Sequence, residues 1–248
     1  MKRPAKANAK SGRNKKPPKK LSWQRDPEGM RKRILGAATA EFARHGYGGA
    51  RIDRIANDAG ANKRMLYYHV GNKDDLYLAV LEGAYEHIRA AERALNLEAL
   101  GAKEAIARLL RFTWEYYLEN PEFIALLNDE NLHRARHLKR SRKVKELHSP
   151  FVALIGDILK RGEAAGEVRH GIDPVQLYVS IASLCYFYQS NSATLGVIFG
   201  RDLMTEEACE ERLEHMTDLV LTALSPAAPR ALDPVLTAPV VFNQRVKI

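Results

Sequence analysis

The sequence predicts an all-α protein, and three observations carry that reading. Apolar residues recur at helical spacing in segment after segment from Asp26 to Leu224, and no alternating strand pattern competes with them. Glycine, Asn-Pro and Asp-Pro stand between the segments, where helices stop and start. One stretch, RIDRIANDAGANKRMLYYHV over 51–70, reads as two short helices joined by a glycine turn. With 248 residues, 46% of them apolar and 28% charged, the chain has the material for one large domain or two small ones.

The expected organisation begins with a basic arm over 1–25. That arm holds ten Lys or Arg and no acid, so the chain's net +9 leaves the remaining 223 residues at −1. Pro4, Pro17 and Pro18 and a shortage of large apolar residues predict disorder there. Such an arm serves nucleic-acid binding or simply solubility. A helix-turn-helix head is expected over 26–72, a helical effector-binding and dimerisation unit over 73–224, and an extended Pro-rich tail over 225–248.

The elements follow in order. Asp26 caps a first helix, with Pro27 at its first position and Ile34, Leu35, Ala38 and Phe42 as its stripe; Gly46 ends it. Ile52, Ile55, Ala56 and Ala59 mark a short second helix closed by Gly60. Asn62 caps a third, which carries Lys63, Arg64, Tyr67, Tyr68 and His69. Asn72 caps a fourth, with Asp74 and Asp75 in its first turn, running through Leu76, Val80, Leu81 and Ile88 to about Arg93. It is too long for a small head alone and reads as a connector. Further helices are expected over Lys103–Glu119, Glu122–His133 and about Arg140–Ala165. Another runs from Asp173-Pro174 to about Asn191, and the last from Thr205, its N-cap, to Leu224. The helix after Pro174 is apolar on all sides, which predicts burial, in part against a second subunit.

The stretch GYGGARIDRIANDAGANKRMLYYHVGNKDDLYLAVL resembles the signature of the TetR family of bacterial transcription regulators. The resemblance covers Phe42 to Glu86 closely, and a nine-helix order covers nearly the whole chain. Ala50-Arg51-Ile52 and Leu66-Tyr67-Tyr68 are similar to the branch containing the pyrimidine-utilisation regulator RutR. The family implies a homodimer with a DNA-binding head and a helical ligand and dimer domain. Arg51 stands where many members carry a small hydroxyl residue, so a phosphate contact there would use a guanidinium fork. Met65-Leu66 and His69-Val70 also depart from the commonest choices, so base preference does not carry over.

On double-stranded DNA, the first residues of the recognition helix meet base edges in the major groove. Arg64 is the first choice for a base reader, since Arg pairs bidentately with guanine O6 and N7. Lys63 reaches guanine or phosphate, and Asn62 caps and touches phosphate. Tyr67 and Tyr68 reach backbone phosphates, as in the family. His69 donates to phosphate or supports the turn, and Lys73 holds a phosphate beside helix N–H groups. A two-fold dimer, paired through the last two helices (about 174–191 and 205–224), predicts a palindromic operator.

For the second unit, Trp114, Tyr117, Phe123, Asn128, Phe151, Tyr178 and Cys185 have the composition of a small-molecule pocket; a plain aromatic core is the alternative. Cys185 has no cationic sequence neighbour to activate it, so a buried thiol is favoured over a redox sensor. Glu130, His133 and His137 have a metal-like spacing, but Arg134, Arg136, Lys139 and Arg140 oppose a cation, so surface or pocket-lining polar residues are expected and no metal. No glycine-rich phosphate loop, nucleophile elbow or carboxylate pair appears, so an enzyme is not expected, nor a cofactor beyond an unidentified small-molecule effector. The absence of an apolar leader and of any 18-residue apolar run, together with only two cysteines, predicts a cytoplasmic protein with no membrane contact. The expected function is a sequence-specific repressor released from its operator by an effector. An effector-independent DNA-binding or architectural protein is the alternative.

Overall fold

The computed structural model describes residues 26–226; the basic arm over 1–25 and the tail beyond 226 lie outside the described residues. Among the described residues there are ten α-helices and no strand: α1 (Pro27–Gly49), α2 (Ile52–Asp58), α3 (Lys63–Val70), α4 (Lys73–Arg93), α5 (Ala102–Glu119), α6 (Pro121–Leu132), α7 (Lys143–Ala164), α8 (Pro174–Ser190), α9 (Ser192–Phe199) and α10 (Glu206–Leu224). Each expected N-cap acts as one. Asp26 accepts from the Gly29 amide at 2.8 Å, Asn62 from Met65 at 2.8 Å and Thr205 from Ala208 at 3.2 Å; Asp173, at the expected opening of α8, caps it as well, accepting from Gln176 at 2.8 Å. Asn72 and Asp75 form a reciprocal capping box at the head of α4.

Two apolar cores organise the chain. The head core packs Met30, Ile34 and Phe42 of α1 against Ile55 of α2, Leu66 of α3 and Leu76, Tyr77 and Val80 of α4. It also takes in Leu126 from α6, so the head rests on the second unit through a shared apolar contact. The larger core joins Ile88 of α4 to the buried stripes of α5, α7, α8 and α10. Helix α4 feeds both cores. At about 1.5 Å per residue its 21 residues make a rod of roughly 30 Å.

The first helix breaks at Gly46, as expected: the backbone there takes φ +64° and ψ 173°, and a further turn runs on to Gly49, held by the Ala50 amide on the Gly46 carbonyl at 3.1 Å. Two features differ from the sequence expectation. The segment expected from Arg140 opens instead as a short 3₁₀ turn, Leu138–Arg140, and α7 begins at Lys143. Helix α9 was not expected, because Ser-Ala-Thr-Leu-Gly-Val-Ile-Phe has no polar face and therefore no periodicity to read. Its Val197, Ile198 and Phe199 are largely exposed in the single chain.

Candidate nucleic-acid interface and buried polar centre

Helix α3 hangs on one fully buried anchor, Leu66. Because the helix has only eight residues, that single anchor leaves the remaining face free. Asn62, Lys63, Arg64, Met65, Tyr67 and Tyr68 are exposed, Tyr68 by 86%, while His69 is half-buried with its ring edge-on to Tyr68 at 5.4 Å. Lys63 pairs with Asp53 at 2.6 Å, but both partners are more than half exposed, so the pair is weak and readily exchanged for a phosphate or a base. Arg64 makes no hydrogen bond or ion pair with any described residue. Asn62 is occupied by its cap.

Arg51 lies exposed at the start of α2, its amide fixed at 2.8 Å by Glu41. Glu41 is a buried carboxylate on the apolar stripe of α1, and Arg54 Nε also donates to it at 2.7 Å. Burial raises the Glu41 pKa, but the Arg54 hydrogen bond and the Arg51 amide outweigh it and hold the carboxyl below its ordinary value. Lys73 faces inward: its ammonium donates to the Ala50 carbonyl at 2.7 Å and lies 4.8 Å from the Tyr47 ring centroid. Burial lowers its pKa. In this state Lys73 ties the start of α4 to the link between α1 and α2.

The head is joined to α6 by polar contacts. Asp129 Oδ2 accepts the Tyr47 amide at 2.9 Å and the Tyr77 hydroxyl at 2.7 Å, and the Tyr47 hydroxyl donates to Asp74. Residues expected as surface or pocket-lining, Glu130 and His137, are instead fully buried. Arg134 and Ala135 take positive φ just after α6 and fold His137 back onto Glu130, whose Oε1 accepts both the His137 and Leu138 amides, at 2.7 and 2.9 Å. His137 Nδ1 meets the other oxygen at 2.8 Å. His133 turns away onto the Asp129 carbonyl, so the spacing that suggested a metal serves to cap a turn. Among the described residues no group of three His, Cys, Asp or Glu side chains is placed to hold a metal ion.

Of the residues expected to line a pocket, Trp114, Tyr117, Phe123, Phe151 and Cys185 belong to the larger core, and Tyr178 packs against it. Tyr117 stacks on Phe123 with ring centroids 5.7 Å apart, and Phe151 meets Tyr178 edge-on at 5.4 Å. Asn128 shares a cleft with Tyr117 alone among them. It accepts the Tyr186 hydroxyl and lines this open cleft of about 360 Å³ between α5, α6 and the α8–α9 corner. Burial pushes the Cys185 thiol up to about 12, against a smaller opposing effect of Arg212, as suits an inert buried thiol. Two residues that the sequence reading passed over occupy the middle of this core. Arg89 and Glu92 of α4 are each 1% exposed, with Arg89 NH1 and Glu92 Oε2 2.9 Å apart. Their i, i+3 spacing beside Ile88, on the apolar stripe of α4, was the available signal.

Comparison with known proteins gives the same picture over most of the chain. Residues 34–80 match the model described as bacterial regulatory proteins, tetR family, and residues 103–220 match that of the tetracyclin repressor-like C-terminal domain. The transcriptional repressor NicS of Pseudomonas putida is 38% identical over 194 residues, which cover 78% of this chain and 92% of that protein. The transcriptional regulator RutR of Escherichia coli is 28% identical over 200 residues, covering 79% and 91%. Among solved structures, a TetR-family regulator of Mesorhizobium loti superposes with a TM-score of 0.59 at 18% identity, covering 81% of this chain and 98% of that one. FadR of Bacillus subtilis, solved in complex with stearoyl-CoA, superposes with a TM-score of 0.54 at 18% identity, covering 75% and 97%.

Proposed function

The chain belongs to the TetR family of bacterial transcription regulators, and from that premise we propose that it is a dimeric repressor released from a palindromic operator by a small-molecule effector. As a family member it is a DNA-binding transcriptional regulator with a helix-turn-helix head. In this reading Arg64 and Lys63 read base edges, while Arg51, Asn62, Tyr67, Tyr68, His69 and Lys73 form the phosphate-facing set. Lys73 reaches DNA only by leaving Ala50. The single observation that carries effector control is α4, one unbroken helix with its first turns in the head core and Ile88 in the other core. An effector that binds two arrangements of the second core unequally therefore shifts the heads as well.

Dimerisation through α8 and α10 is supported by the apolar residues they leave uncovered in a single chain. Val179 of α8 and Leu219 of α10 are about half exposed and line an open cleft of about 580 Å³ between the two helices, and Val175 of α8 is about half exposed as well. Exposed Val197, Ile198 and Phe199 of α9 extend the same character. No helix among the described residues is long and apolar enough to cross a membrane, and a cytoplasmic site of action fits that and the DNA partner.

Operator affinity measured with and without fractionated cell metabolites tests the reading, with the operator taken from genome-wide recovery of bound DNA. One protected palindrome, released by at least one fraction, is the expected result. Scattered protection with no sequence preference supports the effector-independent, architectural alternative instead.

A further inference from the structure

The most unusual feature of the molecule outside its DNA-facing surface is the pair Arg89 and Glu92. The two charges lie 2.9 Å apart yet off-axis. Arg89 Nε and NH1 and both Glu92 oxygens are buried with no hydrogen-bond partner among the described residues. Among the described residues, the one hydrogen bond of this guanidinium runs from NH2 to the Tyr178 hydroxyl at 2.8 Å. A buried ion pair in such poor geometry does not repay its desolvation, and a half-satisfied polar group inside an aromatic core is costlier than an apolar replacement. Its presence therefore calls for a role other than stability.

The surroundings define what would complete it. The guanidinium carbon sits 4.3 Å from the Phe151 ring centroid and 5.3 Å from that of Tyr178, two rings that meet edge-on, so aromatic surface borders the charge. Nε and NH1 are both left without hydrogen bonds among the described residues, and each is a charge-assisted donor that an incoming oxyanion can take. Glu92 is the group now placed against the guanidinium. Burial, opposed by Arg89 and Arg93, raises the Glu92 carboxyl above the ordinary glutamate range, so the neutral acid lies within its reach at this position.

We propose that Arg89 is the anion-recognition point of the effector site and that the effector is a small planar carboxylate, which displaces Glu92 from the guanidinium and lies against Phe151 and Tyr178. This rests on the effector reading above. Glu92 turns aside as the neutral acid, taking a proton from solvent, so one buried anion replaces another and no second charge is buried. Both residues belong to α4, whose first turn carries Lys73 at the head, so the exchange is made on the element that joins the two cores.

Isothermal titration calorimetry of the full chain with benzoate, benzamide and cyclohexanecarboxylate tests the site. Benzoate is expected to bind about tenfold or more tightly than benzamide, the factor of one charge-assisted hydrogen bond, and more tightly than cyclohexanecarboxylate. Arg89→Gln is expected to abolish benzoate binding. Glu92→Gln, isosteric and neutral, is expected to strengthen it by about tenfold because the competing carboxylate is gone; this variant keeps the test decisive even if Arg89→Gln does not fold. Equal affinities for benzoate and benzamide, absence of benzoate binding, or an unchanged affinity in Glu92→Gln would each overturn the proposal. Cyclohexanecarboxylate binding as well as benzoate would overturn its planar part. Carboxylate binding that leaves the operator complex intact would overturn the effector reading but not the site. Operator release by a compound whose affinity ignores both substitutions would overturn the site and leave the effector reading standing.

Discussion

Asp129 on α6 and Tyr77 on α4 are joined by a 2.7 Å hydrogen bond at the seam between the two cores, and the same carboxylate oxygen accepts the Tyr47 amide. Tyr77 is fully buried, and burial, then Asp129 itself, raises its pKa far above the ordinary tyrosine value, so the hydroxyl remains a donor throughout the accessible pH range. Asp129→Ala leaves a buried hydroxyl and a backbone amide without their acceptor. The expected loss is about 2–4 kcal/mol of unfolding free energy, read by chemical denaturation. Asp129→Asn, which keeps one carbonyl oxygen as acceptor, should lose less than half of that. Equal stability of Asp129→Ala and the parent would show that the seam is held by apolar contact alone.

Gly46 sits against the same carboxylate. It has φ +64°, and a Cβ built there would lie 2.6 Å from Asp129 Oδ1. Gly60 has the same φ but nothing within 4 Å of its would-be Cβ. Gly60→Ala should therefore cost only the left-handed strain, about 1–2 kcal/mol. Gly46→Ala should cost more, because it also displaces Asp129 from Tyr47 and Tyr77. Thermal melts of the two variants side by side check the order; the reverse order would mean that Asp129 yields freely.

The DNA-facing residues should separate by their effect on sequence choice. Arg64→Ala is expected to weaken binding to the operator by about 1–3 kcal/mol and to relax preference at one base pair of each half-site. Arg51→Ala and Tyr68→Phe should weaken all sequences alike, with Arg51→Ala also flattening the salt dependence by about one phosphate contact. Removing residues 1–25, with their ten basic side chains, should flatten it further and leave the preferred sequence unchanged. Titrations of operator and scrambled duplexes at several salt concentrations measure all four.

Glu41 gives the head an acid limit. Its folded-state pKa is depressed, so its contribution is fully present above the ordinary glutamate value and is lost as pH falls through the lower folded value. Unfolding free energy measured from neutral pH downward should drop across that window in the parent protein. Glu41→Gln should be less stable at neutral pH and show a shallower drop, because no proton is then taken up at this position on unfolding. A parallel decline in both proteins would assign the acid limit to other carboxylates.

The proposed dimer face is open to direct attack. Leu219→Glu on α10, combined with Val179→Glu on α8, puts charge onto a surface whose residues are already about half exposed, so the fold of the single chain should survive. Light scattering should then report monomers, and operator affinity should fall by more than tenfold as the two heads lose their linkage. A dimer that persists would move the interface elsewhere, α9 being the next surface to substitute.

Much of the molecule is legible in its sequence because it is encoded locally. Asp26, Asn62, Asn72, Asp173 and Thr205 start helices through hydrogen bonds that span only three residues, so a short sequence window contains both partners. The head follows for the same reason: Ile55, Leu66 and Gly60 specify its packing and turn within twenty residues, and the exposed donors of α3 are simply those left off the buried face. What only the tertiary structure decided is the pairing of charges that are far apart in sequence or lie on apolar faces. Glu41 reaches Arg51 and Arg54, and Asp129 reaches across 82 residues to Tyr47. Lys73 turns inward to Ala50 rather than outward, and Arg89 with Glu92 is enclosed by Phe151 and Tyr178 from other helices. A charged side chain reads as surface until the elements packed over it are known, because its burial is set by neighbours that no local window contains.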